Sequence, residues 1–222
     1  MNQLFPMTVR SLVAAATFSA VAMAAQAQGL TGDVDAGKGK AEMCIGCHSI
    51  PGYQNSFPEI HKVPKISGQS EKFIATSLAA YKKGDRKHPT MRGIAGSLTD
   101  QDMADLAAFY ASHADTTAPE APRAASVEVA ALIEKGACAS CHGANFSKPI
   151  DPSYPKLGGQ HADYLFVALK SYTVEGNQYV GRANPIMAGI AKQYSPAEMR
   201  AIAKYLSTVE GELKVVPQSR FK

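Results

Sequence analysis

The residues that could do chemistry are four cysteines, and they come as Cys44-Ile45-Gly46-Cys47-His48 and Cys138-Ala139-Ser140-Cys141-His142. Two cysteines three apart on one helical turn project to the same side. Both thiols can then add across the vinyl groups of a single haem, and the histidine that follows stands under the iron as a neutral imidazole ligand. This is the attachment pattern of a c-type haem. It makes Cys44, Cys47, Cys138 and Cys141 the cofactor-binding residues and His48 and His142 metal ligands, for two covalently bound haem c groups. A zinc ribbon also uses paired Cys-x-x-Cys. It has no use for an immediate histidine in both copies, and the pairs here lie about 90 residues apart where a ribbon has about 15–20. A thioredoxin-type redox pair needs a βαβ pattern around it, which neither motif has. All four cysteines are consumed, so no disulfide framework is left.

The sixth ligand of each iron must come from elsewhere. Beyond residue 27 the methionines are Met43, Met91, Met103, Met187 and Met199. Met43 adjoins Cys44 and has Ala137 as its counterpart in the second motif, which assigns it to the core. Met103 and Met199 lie on the apolar stripe of a capped helix and are expected to pack there. Met91 and Met187 each follow a proline by two residues, in Pro89-Thr90-Met91 and Pro185-Ile186-Met187, within segments that lack helical periodicity. A proline-stiffened loop could hold a thioether over a haem face, so Met91 and Met187 are the expected distal ligands. The rival is bis-histidine ligation by His61, His88, His113 or His161, none of which recurs in both copies. All four read as solvated or loop histidines, with His88, three residues from Met91, as the alternative ligand.

The elements that must hold these groups come from an internal repeat. The Cys-x-x-Cys-His motifs are offset by 94 positions, and Pro64-Lys65-Ile66-Ser67-Gly68-Gln69 recurs 91 later as Pro155-Lys156-Leu157-Gly158-Gly159-Gln160. Ile74, Leu78 and Tyr81 match Leu165, Leu169 and Tyr172, while Arg86, Pro89, Met91 and Met103 recur 96 later as Arg182, Pro185, Met187 and Met199. The change of offset places a short insertion within Thr173 to Gly181, where Gly176 and Asn177 signal a loop. Strand alternation is missing, and the readable elements are helical. The last helix of each copy opens on a capping box, at Thr99–Asp102 and Ser195–Glu198, with Pro196 at the first helical position. The opening helix carries a small residue, Gly37 or Ala131, for close approach of another helix.

In 222 residues, 45% hydrophobic and 19% charged, these repeats make two domains of ordinary globular composition, near the lower size at which a core suffices unaided. The boundaries read as 28–115 and 124–222, with the Pro- and Thr-containing stretch 116–123 as linker. Residues 1–27, with one base, an apolar run and the triplet Ala25-Gln26-Ala27, read as a signal peptide. The remainder is expected to be soluble, in the periplasm of a bacterial cell. A net charge of +4 is too small for nucleic acid as a partner.

These motifs, together with Gly84-Asp85-Arg86 and the run Leu98 to Ala107, resemble those of the dihaem cytochrome c4 family. The resemblance covers essentially the whole chain after residue 27. It implies an all-α protein of two tandem class I cytochrome c domains, each of about three to five helices around one haem c. It also implies His/Met coordination, with His48 and Met91, then His142 and Met187, as axial pairs and the haems near the domain interface. The first copy departs from the family in Ser49-Ile50-Pro51-Gly52-Tyr53 after its histidine, and the second in the insertion before Met187.

With both axial positions filled, neither iron has a vacancy, and a soft thioether favours ferrous iron. The expectation is a monomeric electron carrier, not an enzyme. It would accept electrons from a quinol-cytochrome c reductase of the bc1 type and pass them to a terminal haem-copper oxidase, and peripheral membrane association is compatible with this. The alternative is the cytochrome subunit of a larger dehydrogenase, such as a flavocytochrome sulfide dehydrogenase. A dihaem peroxidase needs an open haem, and a thiosulfate dehydrogenase needs a further cysteine ligand, for which none is left. Lys82, Lys83, Arg86, Lys87 and Arg92 surround the Met91 segment and are expected to steer an acidic partner.

Overall fold

The computed structural model describes residues 30–114 and 124–217; the expected signal peptide 1–27 and linker 116–123 lie outside them. The first half contains α1 (Val34–Lys40), α2 (Glu42–His48), β1 (Gln54–Asn55), β2 (His61–Lys62), α3 (Glu71–Lys83), β3 (Arg86–Lys87), α4 (Pro89–Gly96) and α5 (Asp100–Ala111). The second contains α6 (Val127–Lys135), α7 (Cys138–His142), α8 (Ala162–Ser171), β4 (Gly181–Arg182), α9 (Pro185–Ala191) and α10 (Pro196–Thr208). The all-helical expectation holds.

Each half is built on its closing helix. Helix α5 buries Leu106, Ala107, Phe109 and Tyr110 against Ile45 of α2 and Ile74 of α3. Helix α10 buries Met199, Ile202, Ala203 and Leu206 against Leu165 and Phe166 of α8. Both start where the capping boxes placed them. Thr99 and Asp102 exchange hydrogen bonds with each other's backbone N–H, as do Ser195 and Glu198. Each box satisfies two otherwise orphaned donors.

Helix α1 crosses α5 at Gly37, where a Cβ would collide with the Asp105 carbonyl and the Phe109 side chain. Close by, the buried Asp105 carboxylate accepts from the Asp33 N–H, Gln101 Nε2 and Lys40 Nζ. The same role expected of Ala131 is not found. Ala131 is exposed, because α6 turns Leu132 and Ile133 toward the core instead. Met43, assigned to the core, is 60% exposed. It stands two residues before Ile45, and on a helix such neighbours face nearly opposite ways. His61, read as solvated, is 4% exposed: its Nδ1 donates to the Glu59 carbonyl, and the Tyr164 ring of the second half lies 6.2 Å away.

The strands are a departure from the sequence reading. Each is two residues long, too short to show alternation. Strand β1 pairs with β2, but β3 pairs antiparallel with β4 across the halves, Arg86 opposite Arg182 and Lys87 opposite Gly181. Other crossing contacts are reciprocal. Lys65 Nζ donates to the Gly159 carbonyl, and its repeat partner Lys156 Nζ donates to that of Gly68. Repeat-equivalent residues meeting in this way make an isologous interface, the arrangement of a symmetric dimer within one chain.

Candidate functional site

Helix α2 carries Cys44, Cys47 and His48 on its last turns, and α7 is little more than the second motif itself. Its entry is set by Ala137, which adopts a left-handed backbone at φ +48°. All four cysteines are partly buried and none is paired with another.

The histidines are held alike. His48 Nδ1 lies 2.8 Å from the Pro64 carbonyl and His142 Nδ1 lies 3.0 Å from that of Pro155. A carbonyl only accepts, so Nδ1 is the protonated nitrogen and Nε2 keeps its lone pair. Burial holds both rings below the usual histidine range despite these bonds. A neutral imidazole with its tautomer fixed by an outer hydrogen bond could serve as a metal ligand through Nε2.

Met91 and Met187 do not sit in loops. They occupy α4 and α9, short helices with proline in the first turn. The His88 side chain accepts from the Met91 N–H through Nδ1 at 3.4 Å, and Asn184 Oδ1 accepts from the Met187 N–H at 3.0 Å. His88 and Asn184, which fill matching positions of the repeat, are thus both helix N-caps. These helices are eight and seven residues long, too short to show an apolar period. The proline followed by methionine, with a capping residue in front, was the available signal. Met91 and Met187 are half-buried, whereas Met103 and Met199 are 4% and 3% exposed and belong to the cores.

A cluster that no sequence motif announces lies at the boundary between the halves. Arg86 donates to Ser77 Oγ at 2.8 Å and to the Tyr164 hydroxyl at 2.7 Å, and its guanidinium lies 4.8 Å from the centre of the Tyr81 ring. Arg182 reaches the same Tyr164 oxygen at 3.2 Å and stands over Tyr172 at 5.3 Å. Burial would raise the Tyr164 phenol, but the two guanidiniums more than reverse this and bring it down to about 8. Neither arginine has a carboxylate partner among the described residues, and Arg86 Nε is buried with no acceptor. A buried guanidinium is ordinarily paired. An unpaired guanidinium donor in a chain with two such histidines fits a group that brings its own carboxylates, as haem does with its propionates. The cluster also corrects the expected steering patch, since Arg86 is spent here and Lys87 Nζ donates to the Asn177 carbonyl of the second half.

The family model described as Cytochrome c matches residues 34–114 and again 126–210. The chain belongs to the cytochrome c family. Cytochrome c4 of Azotobacter vinelandii is 32% identical over 192 residues, covering 79% of this chain and 88% of that protein. A thiosulfate dehydrogenase electron acceptor of Thiomonas intermedia is 30% identical over 216 residues, covering 93% and 94%. The crystal structure of reduced recombinant cytochrome c4 from Pseudomonas stutzeri superposes with a TM-score of 0.59 at 29% identity, covering 81% of this chain and all of that one. Within the cytochrome c family the chain is of the dihaem cytochrome c4 type, two tandem domains with two covalently bound haem c groups. It is an electron-transfer cytochrome.

Proposed function

We propose that Cys44 and Cys47 attach the first haem and Cys138 and Cys141 the second, with His48 and Met91, then His142 and Met187, as axial ligands. The observation that carries this is the pair of motif histidines, each neutral and each turned by a proline carbonyl so that Nε2 is free. Bound haem supplies a one-electron couple, which a thioether ligand poises toward the ferrous state. The chain's own residues would orient the imidazoles, hold each methionine in a capped helical turn, and offer Arg86 and Arg182 as half-buried cations.

Residues 1–27 direct export to the periplasm and are removed, leaving domains 28–115 and 124–222 joined by 116–123. There the protein carries electrons from a quinol-oxidising complex of the bc1 type to a terminal haem-copper oxidase. Among the described residues no helix is long and apolar enough to cross a membrane; peripheral membrane association is part of the proposal. A second reading, acceptor for a thiosulfate-oxidising enzyme, is favoured by the likeness to the Thiomonas intermedia protein along nearly the whole chain.

The test is the oxidised near-infrared spectrum with a redox titration on the same sample. The ligand reading expects a methionine-to-ferric-iron band of two-haem strength and two high-potential steps; a missing or half-strength band overturns it for at least one haem. Reduction by thiosulfate plus its dehydrogenase, faster than by a bc1-type complex, would put the second reading first.

A further inference from the structure

The carbonyl that holds each motif histidine belongs to a peptide group whose other end is held by the opposite half of the molecule. The Pro64–Lys65 peptide accepts from His48 Nδ1 through its oxygen at 2.8 Å and donates its N–H to Gln160 Oε1 at 3.0 Å. The Pro155–Lys156 peptide accepts from His142 Nδ1 at 3.0 Å and donates its N–H to Gln69 Oε1 at 2.9 Å. Each glutamine closes the link with its amide nitrogen, Gln160 Nε2 to the Lys65 carbonyl at 2.9 Å and Gln69 Nε2 to the Lys156 carbonyl at 3.0 Å. Both glutamines are buried, and each amide oxygen is pinned further by the next N–H of its own chain, that of Ser70 or His161. The two side chains have one orientation each, and the pattern is the same in both directions.

A peptide group that donates at nitrogen becomes a better acceptor at oxygen, because hydrogen bonds in a chain polarise one another, more so out of water. A stronger acceptor at Nδ1–H makes the imidazole a more electron-rich ligand, and such outer hydrogen bonds tune a bound metal. We infer that Gln69 and Gln160 are crossed positioning residues: Gln160, in the second half, sets the reduction potential of the haem on His48, and Gln69, in the first half, sets that of the haem on His142. Each domain then tunes the other's redox centre, and a partner that shifts one half against the other changes both potentials. This rests on His48 and His142 being the iron ligands.

The experiment measures both potentials in the full-length holoprotein by spectroelectrochemistry, after Met91→His and Met187→His proteins have assigned each step to a half. Gln160→Leu removes the acceptor, leaves the Pro64 oxygen less basic, and is expected to raise the first haem's potential. At a fixed ambient potential its oxidised-to-reduced ratio falls about two- to fivefold, with the second haem unmoved. Gln69→Leu does the reverse. Gln160→Glu keeps an acceptor oxygen while losing the amide donor, and is expected not to raise the first potential. Lys87→Met, which severs a different contact between the halves, leaves both where they were. A shift in the haem on the variant's own side, equal shifts in both, no shift, or a rise with Gln160→Glu equal to that with Leu each overturns the inference. If neither methionine replacement displaces a potential, the methionine assignment alone falls and the steps are assigned with His48→Ala and His142→Ala proteins; if those too displace neither potential, this inference falls with the histidine assignment, whereas an uncrossed pattern in assigned haems overturns this inference alone.

Discussion

Four methionines recur in pairs, and the pairs have different surroundings. Met103 and Met199 are sealed in the closing-helix cores, while Met91 and Met187 sit half-buried in the first turn of capped helices. Met103→Ala is expected to cost about 2–5 kcal/mol of stability, as truncations in a packed core do, while leaving the near-infrared band at full strength. Met91→Ala is expected to halve that band. Denaturant unfolding and the oxidised spectrum, recorded on both proteins, separate the two roles. The paired capping by His88 and Asn184 was legible only in part. Histidine and asparagine look unrelated as a repeat match, and what they share is a side-chain acceptor aimed at the methionine N–H.

Among the elements, the opening helices show where a repeat in sequence stops being a repeat in packing. Gly37 admits α5 to backbone contact, whereas Ala131 looks into solvent. Gly37→Val is therefore expected to unfold or strongly destabilise the first half, and Ala131→Val to change stability by less than about 0.5 kcal/mol; thermal melts of the two proteins decide it. Asp105 ties the same helix pair together and gives it a pH dependence. Its hydrogen bonds from Lys40, the Asp33 N–H and Gln101 hold the carboxyl below the usual range. A group with a depressed folded value stabilises above its unfolded value of about 3.9 and loses that contribution as pH falls through the folded one. Asp105→Asn is expected to flatten the acid limb of stability below about pH 4, read as melting midpoint against pH.

For the whole molecule, what stands out is how much of the polar chemistry joins the halves. Two guanidiniums share the Tyr164 oxygen, β3 pairs with β4, and the Pro-Lys-x-x-Gly-Gln segments clasp each other. Tyr164→Phe gives the second half the residue that the first carries at Phe73. It leaves two buried donors short of an acceptor, at an expected cost of about 1–3 kcal/mol. Because the bond spans both halves, the loss should appear in the unfolding of each, followed by separate absorbance and circular dichroism probes. Arg86 and Lys87 are engaged inside the molecule, so Lys82, Lys83 and Arg92 remain as the exposed members of the basic group near Met91. Reversing Lys82 and Lys83 to Glu is the cleaner probe of partner steering, since Lys87→Glu would also disturb the joint.

The haem motifs, the closing helices with their capping boxes and the core methionines were readable from the chain because each depends on residues within one or two turns of one another, and the tandem repeat because the same local patterns recur in order. Spacing, periodicity and cap chemistry are local, and a sequence carries them openly. The packing of Gly37 but not Ala131, the burial of His61, the ribbon between Arg86 and Arg182, and the glutamines that reach across to the histidine-bearing peptides were decided only in the tertiary structure. Those contacts join residues from about 70 to just over 100 positions apart, whose partners no period or motif announces, and only the docking of one half on the other, or of one helix on another, brings them within hydrogen-bonding or contact distance.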